Sequence, residues 1–499
     1  MKTLSLIAAT TALVASIPAL AETPRPVVNA IRADQAAGIQ RLQQWIALPT
    51  IANMNINHQE GADYMRRLAL DAGFQQAKIV KTDGVPAVFA TLDVGAPVTL
   101  GIYFMYDVKH YDPAEWSSPP LEARIVDRPG EGKAVVGRGA VNQKGPETAF
   151  LSAIRAFKTA GVKPPVNLVL VAEGEEEIGS PHFPQALAEP EVKAALSKAA
   201  GIFIPGAGQS ATGATSLSLG AKGVIEVQLI SSGEKWGRGP SKDIHSSLMA
   251  SVDSPAWRLV KALNTLVADD GFTPAIDGIF ENVKPLTERQ KQIIAAEVAA
   301  GDEADDKKSL GLKVWAKDED YLTSSLRLAS QPTVNIQGLV SGYTGPGGKT
   351  VMPGRAEAKL DLRLVPDMTF DEAVSKLKAH LAKRGYGDIE VKVTGGYSPN
   401  ETAEDSVLIR AEKATLDAAG IENTMSARSA GSWPGVMFTG DPFRLPAGQF
   451  GAGRGGGAHA PDEWYLVESS NPKVAGFSDQ AKIYADLLYE VARLGKKGR

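Results

Sequence analysis

The most informative pattern in the chain is a set of short apolar runs that end at acidic residues. Residues 166–180 read VNLVLVAEGEEEIGS, and residues 98–108 read VTLGIYFMYDV. Such runs are rich in branched apolar residues and too short for buried helices, which is typical of interior strands. Ligands of a parallel sheet bind beyond the carboxyl ends of its strands. We therefore expect one shared site for the acidic residues Asp107, Glu173, Glu175, Glu176 and Glu177.

The acidic run itself permits two interpretations. Two adjacent carboxylates at a strand end could divide their roles, one acting as general base for a water and the other as metal ligand. An isolated run of glutamates could also be a solvated turn or the first turn of a helix. The pattern alone leaves both interpretations open.

Apolar residues at helical spacing separate the strand-like runs along most of the chain. Helices are predicted over residues 34–48, 58–72, 147–160, 255–267, 370–384, 407–419 and 473–494. Further strands are predicted over residues 77–82, 85–92, 201–204, 224–230, 355–366, 389–394 and 436–439. The order strand, helix, strand that ends with the acidic run predicts a βαβ unit with a right-handed crossover.

The order of these elements predicts an α/β fold with a mixed, mostly parallel sheet flanked by helices. Near residue 220 the pattern changes, and residues 355–366 (RAEAKLDLRLVP) alternate apolar and polar positions. That alternation is typical of an antiparallel strand that has one buried face and one solvent-exposed face. The earlier pattern resumes near residue 406. We therefore predict a catalytic domain made of residues 22–220 and 406–499, interrupted by an inserted α+β domain of residues 221–405.

The first 21 residues have the form of a secretory signal peptide. Lys2 precedes an apolar run, and Ala19, Leu20 and Ala21 precede the mature chain. We expect cleavage after Ala21 and a periplasmic or secreted protein. The run is short and is broken by Pro18, which disfavours a transmembrane helix. The chain has no cysteine, so its stability must come from packing rather than from disulfides.

Composition narrows the classes of partner. The 499 residues carry a formal net charge of −4 and are 43% hydrophobic, which suits two or three domains with cores of their own. A nearly balanced charge gives no argument for a nucleic acid or an anionic membrane surface as partner.

Three further residues could carry chemistry. His459 ends the glycine-rich loop GQFGAGRGGGAH, whose tight turns could aim an imidazole into a cleft. The same loop could simply lie mobile on the surface. His110 and Asp112 could be metal ligands, although hydrogen bonding within an ordered loop is the favoured interpretation.

Four stretches, in order, resemble the motifs of the M20 family of dinuclear zinc peptidases: MYDVKHYDPAEWSSPP, GRGAVNQKG, EGEEEIGS and GGAHAPDEW. The segments DIHSS, PAW, YTGPGGKTVMP, DLRLVP and RSAGSWP agree as well. The resemblance implies a hydrolase that cleaves an amide bond of the peptide or N-acyl amino acid type. It also implies that the inserted domain is a lid or dimerisation domain and that the protein is a homodimer.

The resemblance assigns roles to individual residues. Glu176 matches the general base, Asp107 the carboxylate that orients a metal ligand, and His245 the histidine that reaches across a dimer to the substrate. Glu177 and His459 match two ligands of one zinc ion. The positions that bind substrate are matched by Thr350, Arg363, Gly431 and Ser432. The fork of the Arg363 guanidinium suits a substrate carboxylate.

Three positions depart from the family pattern. Met105 stands where the family has a histidine ligand, Asn142 where it has the bridging aspartate, and Gly206 where it has a further aspartate ligand. One zinc ion would lose all three of its ligands, because a thioether suits zinc poorly beside oxygen ligands and a neutral amide cannot bridge two cations. The other ion would keep Glu177 and His459. We therefore expect one divalent metal, zinc, held by Glu177, His459 and Asn142.

Three hypotheses follow from the altered motifs. The chain is a single-metal amide hydrolase, a metal-free enzyme that uses Glu176, Asp107 and His245 for acid and base chemistry, or a solute-binding pseudoenzyme. The retained glutamate pair and His245 favour an enzyme, because a binding protein has no evident use for a base beside a metal ligand. The sequence does not identify the substrate, although Arg363 favours a small molecule that carries a carboxylate.

Overall fold

A computed structural model describes residues 22–496, so the expected signal peptide lies outside the described residues. The helices are Arg25–Ile46 (α1), His58–Ala72 (α2), Gly145–Ala160 (α3), Phe183–Ala188 (α4), Pro190–Leu196 (α5), Gly233–Trp236 (α6), Pro255–Asn264 (α7), Glu288–Ala300 (α8), Glu303–Ser309 (α9), Tyr321–Ser330 (α10), Phe370–Lys383 (α11), Val407–Ala418 (α12), Val436–Thr439 (α13) and Phe477–Gly495 (α14). Across residues 22–496, no helix combines the length and the apolar composition that a membrane crossing requires.

The strands are Gln76–Val80 (β1), Ala87–Leu92 (β2), Thr99–Met105 (β3), Arg124–Arg128 (β4), Gly132–Val136 (β5), Asn167–Glu173 (β6), Ala199–Pro205 (β7), Thr215–Ser218 (β8), Gly220–Ala221 (β9), Gly223–Ser232 (β10), Ile244–His245 (β11), Thr333–Ser341 (β12), Val351–Met352 (β13), Arg355–Leu364 (β14), Glu390–Tyr397 (β15), Asn400–Glu401 (β16), Asn423–Ser426 (β17), Ala447–Phe450 (β18), Gly455–Gly456 (β19) and Trp464–Ser469 (β20).

The central sheet has the strand order β1-β2-β6-β3-β7-β18. Strand β3 lies parallel to β6 and to β7, and β7 lies parallel to β18. Strand β2 runs antiparallel to both of its neighbours, β1 and β6. Helices α1, α3 and α14 contribute to the buried cluster on one face, and α4, α5 and α13 to the cluster on the other. Coverage of both faces explains why β3 and β6 are apolar along their length. The predicted mixed, mostly parallel sheet is confirmed.

A second, antiparallel sheet has the order β12-β14-β10-β15 and is built entirely from residues 223–397. Helices α7 and α11 pack against one of its faces. The predicted alternation in β14 is confirmed, because the apolar positions Ala356, Ala358, Leu360, Leu362 and Leu364 are all buried. This sheet, its two helices and the two-stranded ribbon of β11 and β13 are hereafter called the lid. The exact domain boundaries stay a prediction.

One predicted strand is wrong. Val436–Thr439 is the short helix α13, and the strand that completes the central sheet is β18. A run of only four residues, three of them apolar, cannot by itself distinguish a strand from a buried helical turn. Here the carbonyl of Pro434 accepts the N–H of Met437, which starts the turn, and Phe438 packs against Tyr103 and Phe183.

Candidate functional site

The candidate site lies at the carboxyl ends of β3 and β6, as the strand pattern predicted. Asp107 follows β3 by two residues and is fully buried. Its carboxylate accepts the backbone N–H groups of Glu176 at 3.3 Å and Glu177 at 3.0 Å. Asp107 therefore fixes the short turn that carries both glutamates.

The glutamates after β6 divide into two groups. Glu173 accepts hydrogen bonds from Tyr103 and Ser180. Glu175 pairs with His182 at 3.0 Å. These two carboxylates hold the surrounding structure and do not join the site, which leaves Glu176 and Glu177 for chemistry.

The three residues expected to hold a metal lie together. The amide nitrogen of Asn142 is 2.9 Å from Glu177 Oε1 and 3.1 Å from His459 Nε2. His459 Nε2 is 3.0 Å from Glu177 Oε2. The three side chains therefore converge as a triangle from three separate segments of chain.

A buried ion pair holds two of these segments in place. Arg138 lies 2.8 Å from Glu463, and both side chains are buried. Glu463 accepts the backbone N–H of Asn142, and Arg138 donates to the carbonyl of His459 at 3.2 Å. The pair thus ties the loop of Asn142 to the loop of His459. Residue 459 has a left-handed backbone with φ of 64°, and the glycines just before it allow this turn.

The donor set suits one metal ion but not two. Glu177 and His459 are good ligands for zinc, and Asn142 could add its amide oxygen if the amide turned. The side chain of Met105 is buried, and a Cβ built at Gly206 would meet no atom nearer than 4.0 Å. In the described part of the chain, no cluster of three or more His, Asp or Glu residues could hold a metal ion. A second ion therefore has no ligand set.

Negative charge accumulates in the site. Burial and the neighbouring Glu177 raise the pKa of Asp107 to about 8, although backbone N–H groups oppose the rise. Loss of hydration and the charges of Glu177, Asp107 and Glu173 raise the pKa of Glu176 well above its ordinary value, and Lys109 opposes this rise. A carboxyl whose pKa is raised in this way suits proton transfer near neutral pH.

The analysis of sequence motifs missed three charged residues at the site. Lys109 donates to the carbonyl of Glu177 at 2.6 Å, and its ammonium lies 3.6 Å from Glu177 Oε2. Arg138 and Glu463 position two of the proposed ligands, as described above. Arg138 and Glu463 lie inside or beside the quoted motifs GRGAVNQKG and GGAHAPDEW, so a buried opposite-charge pair was the available signal. Lys109 lies inside the quoted motif MYDVKHYDPAEWSSPP, but nothing in that motif indicates that its ammonium would contact Glu177.

The remaining predicted residues form separate pairs. His245 and Thr350, both exposed on the lid, are 3.2 Å apart. Arg363 donates to the hydroxyl of Ser432 at 3.1 Å. Gly431 adjoins Ser432 and is exposed. Among the hydrogen bonds and ion pairs described for residues 22–496, none joins either pair to Glu176 or Glu177.

The residues in the loop after β3 have different surroundings. Asp112 accepts the N–H of Ala114 and caps a short turn, which confirms its loop role. His110 and Lys109 line a cavity of about 440 Å³ whose other wall includes Gln228 and Lys359 of the lid. Glu177 reaches the same cavity, so the site opens toward the lid.

A mostly parallel β-sheet flanked by helices, whose carboxyl edge holds two carboxylates and a histidine beside a second, antiparallel sheet, is the arrangement of a metallopeptidase-type hydrolase. The chain belongs to peptidase family M20/M25/M40, whose sequence profile matches residues 105–489.

Three relatives illustrate the membership. Cys-Gly metallodipeptidase DUG1 of Saccharomyces cerevisiae is 28% identical over 359 residues, which is 68% of this chain and 72% of that protein. Human Beta-Ala-His dipeptidase is 26% identical over 501 residues, 94% of each chain. The crystal structure of the M20 family metallo-carboxypeptidase Sso-CP2 from Sulfolobus solfataricus gives a TM-score of 0.80 at 31% identity, covering 91% of this chain and 99% of that one.

These findings confirm the family resemblance and the fold class. Peptide-bond hydrolysis is the activity that membership of this family gives the chain, which makes it an enzyme. The metallopeptidases among the relatives imply the use of a divalent metal in the family. They do not specify how many ions this chain holds.

Proposed function

We propose that this chain is an exported, single-metal peptidase that hydrolyses the amide bond of a small, dipeptide-like substrate with a free carboxylate. The observation that carries the proposal is the triangle of Glu177, His459 and Asn142 directly beside Glu176. Three protein ligands with one open position are the usual arrangement of a catalytic zinc site. Zinc is therefore the metal we propose.

The residues of the chain supply the proton transfers. Glu176 takes a proton from water as the water oxygen bonds to the amide carbon and the carbonyl electrons move to their oxygen. Glu176 then gives the proton to the amide nitrogen as the C–N bond breaks, releasing an acid and an amine. Asp107 holds the turn of Glu176 through backbone bonds. When bound, a divalent ion supplies Lewis-acid polarisation worth several kcal/mol.

Substrate size and orientation are inferred from two sources. The names of the yeast and human relatives specify the dipeptides Cys-Gly and Beta-Ala-His as what those proteins act on. In this chain Arg363, braced by Ser432, presents a guanidinium that can bind a terminal carboxylate in bidentate fashion. We therefore assign the carboxylate end of the substrate to Arg363.

A homodimer would complete the site. His245 and Thr350 are exposed and bonded to each other on the lid, with no described bond to the glutamates of the same chain. The edge strand β12 exposes Ile336, Leu339 and Val340, each about half accessible, and an open apolar edge of this kind favours pairing. We propose that His245 reaches the substrate of the partner subunit. Export is proposed from the sequence of residues 1–21, and N-terminal sequencing of the mature protein tests it.

One contact favours a second candidate, a metal-free enzyme. The amide nitrogen of Asn142 donates to Glu177 and lies 3.1 Å from His459 Nε2, so Glu177 has a hydrogen-bond partner without a cation. Glu176, Asp107 and His245 would then carry the proton transfers. Elemental analysis of protein purified without tag or chelator separates the two candidates. Turnover with one equivalent of metal supports the first, and turnover with none after metal is offered supports the second.

The general base gives the decisive variant. Glu176→Gln keeps the shape of the side chain but cannot accept the proton, so we expect kcat to fall at least about a hundredfold with little change in substrate affinity. The exposed Glu189→Gln is the matched control and should leave both values unchanged. Unchanged turnover in Glu176→Gln would remove this residue from the mechanism. A wild-type chain that binds peptides and hydrolyses none would be a solute-binding pseudoenzyme.

A further inference from the structure

Two adjoining cavities, hereafter called the groove, begin beside the proposed metal ligands. The first, about 250 Å³, is lined by Asn142, Gly206 and Ala458, the neighbour of His459. The second, about 550 Å³, extends under helices α8 and α10. Ser216, Ser218 and Gln449 line both cavities. The groove therefore runs from the reacting centre to the helices that precede β12.

The end of the groove near the site is uncharged. All described residues that line the first cavity are neutral, including Asn142, Gln143 and Gln449. The space exists partly because residue 206 is a glycine, where a side chain would project into open space. A glycine, in place of the aspartate that the family resemblance implies at this position, leaves more room beside Asn142.

The far end of the groove mixes apolar and polar side chains, and Glu297 and Asp306 stand in its wall. Its wall contains Trp315, stacked on Tyr321 with ring centroids 5.4 Å apart, and Leu310 and Leu328, which are 64% and 56% exposed. The one cation in the described lining, Arg428, is already paired with Glu401 at 2.5 Å. An apolar or aromatic group of a ligand would bury the exposed surface of Leu310 and Leu328, whereas the carboxyl groups of Glu297 and Asp306 disfavour an acidic group.

We propose that this groove binds the amino-terminal extension of a substrate longer than a dipeptide, with an aromatic or branched apolar residue resting on Trp315. The inference rests on the proposed function, because a substrate whose carboxylate lies at Arg363 can extend only at its amino-terminal end. The volume of the far cavity, about 550 Å³, falls within the range of small-ligand sites, roughly 300–1,000 Å³. A dipeptide alone would leave the far cavity unused.

The test uses binding, so that it does not depend on turnover. Metal-loaded Glu176→Gln protein is titrated calorimetrically with Ala-Ala, Phe-Ala-Ala and Asp-Ala-Ala. We expect Phe-Ala-Ala to bind at least tenfold more tightly than the other two. Equal affinities for all three peptides would overturn the proposal.

A second variant fills the groove with a bulky side chain. Ser324 lies on the face of α10 that lines the groove, and Ser324→Trp should abolish the preference for Phe-Ala-Ala while leaving the affinity for Ala-Ala unchanged. Leu322→Trp, on the same helix but outside the lining, is the control and should keep the preference. A preference that survives Ser324→Trp would overturn the assignment to this groove.

Hydrolysis by the wild-type chain distinguishes the two proposals. Cleavage of Ala-Ala without the binding preference would support the peptidase and overturn the groove. The binding preference without cleavage of any peptide would support the groove and overturn the peptidase.

Discussion

The ammonium of Lys109 places a positive charge beside the proposed metal ligand Glu177. Its ammonium is held 2.6 Å from the carbonyl of Glu177 and 3.6 Å from the carboxylate of the same residue. A cation that binds Glu177 and His459 must approach this fixed charge. Repulsion between charges a few ångströms apart amounts to several kcal/mol near a protein surface.

Removal of that charge should therefore strengthen metal binding. We expect Lys109→Met to bind zinc at least about tenfold more tightly than the wild-type chain, measured by competition with a chelating dye. Lys133→Met removes an equal charge from a surface pair with Glu468 and should have no effect. Weaker zinc binding in Lys109→Met would show that the lysine holds Glu177 in its binding conformation and does not compete with the ion.

The contrast between Lys109 and its neighbours shows what sequence can specify at this scale. Asp107, Glu176 and Glu177 were placed together from two strand ends, because parallel strands direct their carboxyl ends to one edge. The contact of Lys109 depends on the path of an irregular loop, which no periodicity encodes. The approach of Asn142 to His459 likewise depends on the buried pair of Arg138 and Glu463.

At the scale of elements, the sequence predicted long segments with a strong hydrophobic period correctly, but it did not predict short segments reliably. Helix α2 was predicted to the residue, and β14 buries the predicted face. The run at Val436–Thr439 was misassigned because its turn depends on Pro434 and on packing of Phe438 with distant aromatic rings. The amphipathic pattern of α12 was predicted correctly, but it did not reveal that this helix buries a carboxyl.

That carboxyl belongs to Glu412, which is 1% exposed and has one oxygen without a hydrogen-bond partner. Burial raises its pKa well above the ordinary value. The folded chain therefore holds a proton on Glu412 at pH values where the unfolded chain has released it. The contribution of Glu412 to the free energy of unfolding therefore falls as the pH rises above about 4.5, the ordinary pKa of glutamate.

Glu412→Gln should remove this dependence, because the amide is neutral at every pH. We expect the variant to match the wild-type chain near pH 4 and to exceed its free energy of unfolding at pH 8 by roughly 1–3 kcal/mol. Urea unfolding at the two pH values measures the difference. Parallel changes in variant and wild type would mean that Glu412 is ionised in the folded chain and stabilised by a contact not described above.

At the scale of the whole molecule, the site as described within one chain is divided. The glutamates and His459 lie at the edge of the central sheet, whereas His245 and Thr350 form a pair on the lid. Sequence motifs nominated all of these residues, and the family resemblance implies that His245 acts on the substrate of the partner subunit. A twofold dimer would place each lid pair against the site of the other subunit.

Mixed dimers test that arrangement directly. His245→Ala and Glu176→Gln chains should each be inactive, but a mixed dimer would carry one intact site, made of Glu176 from the first chain and His245 from the second. Random reassociation makes half of the dimers mixed, so the mixture should recover about one quarter of wild-type turnover. The recovery is measured after the two variants are denatured and refolded together, with separately refolded variants as the control. Without any recovery, His245 would have to act within its own chain or outside catalysis.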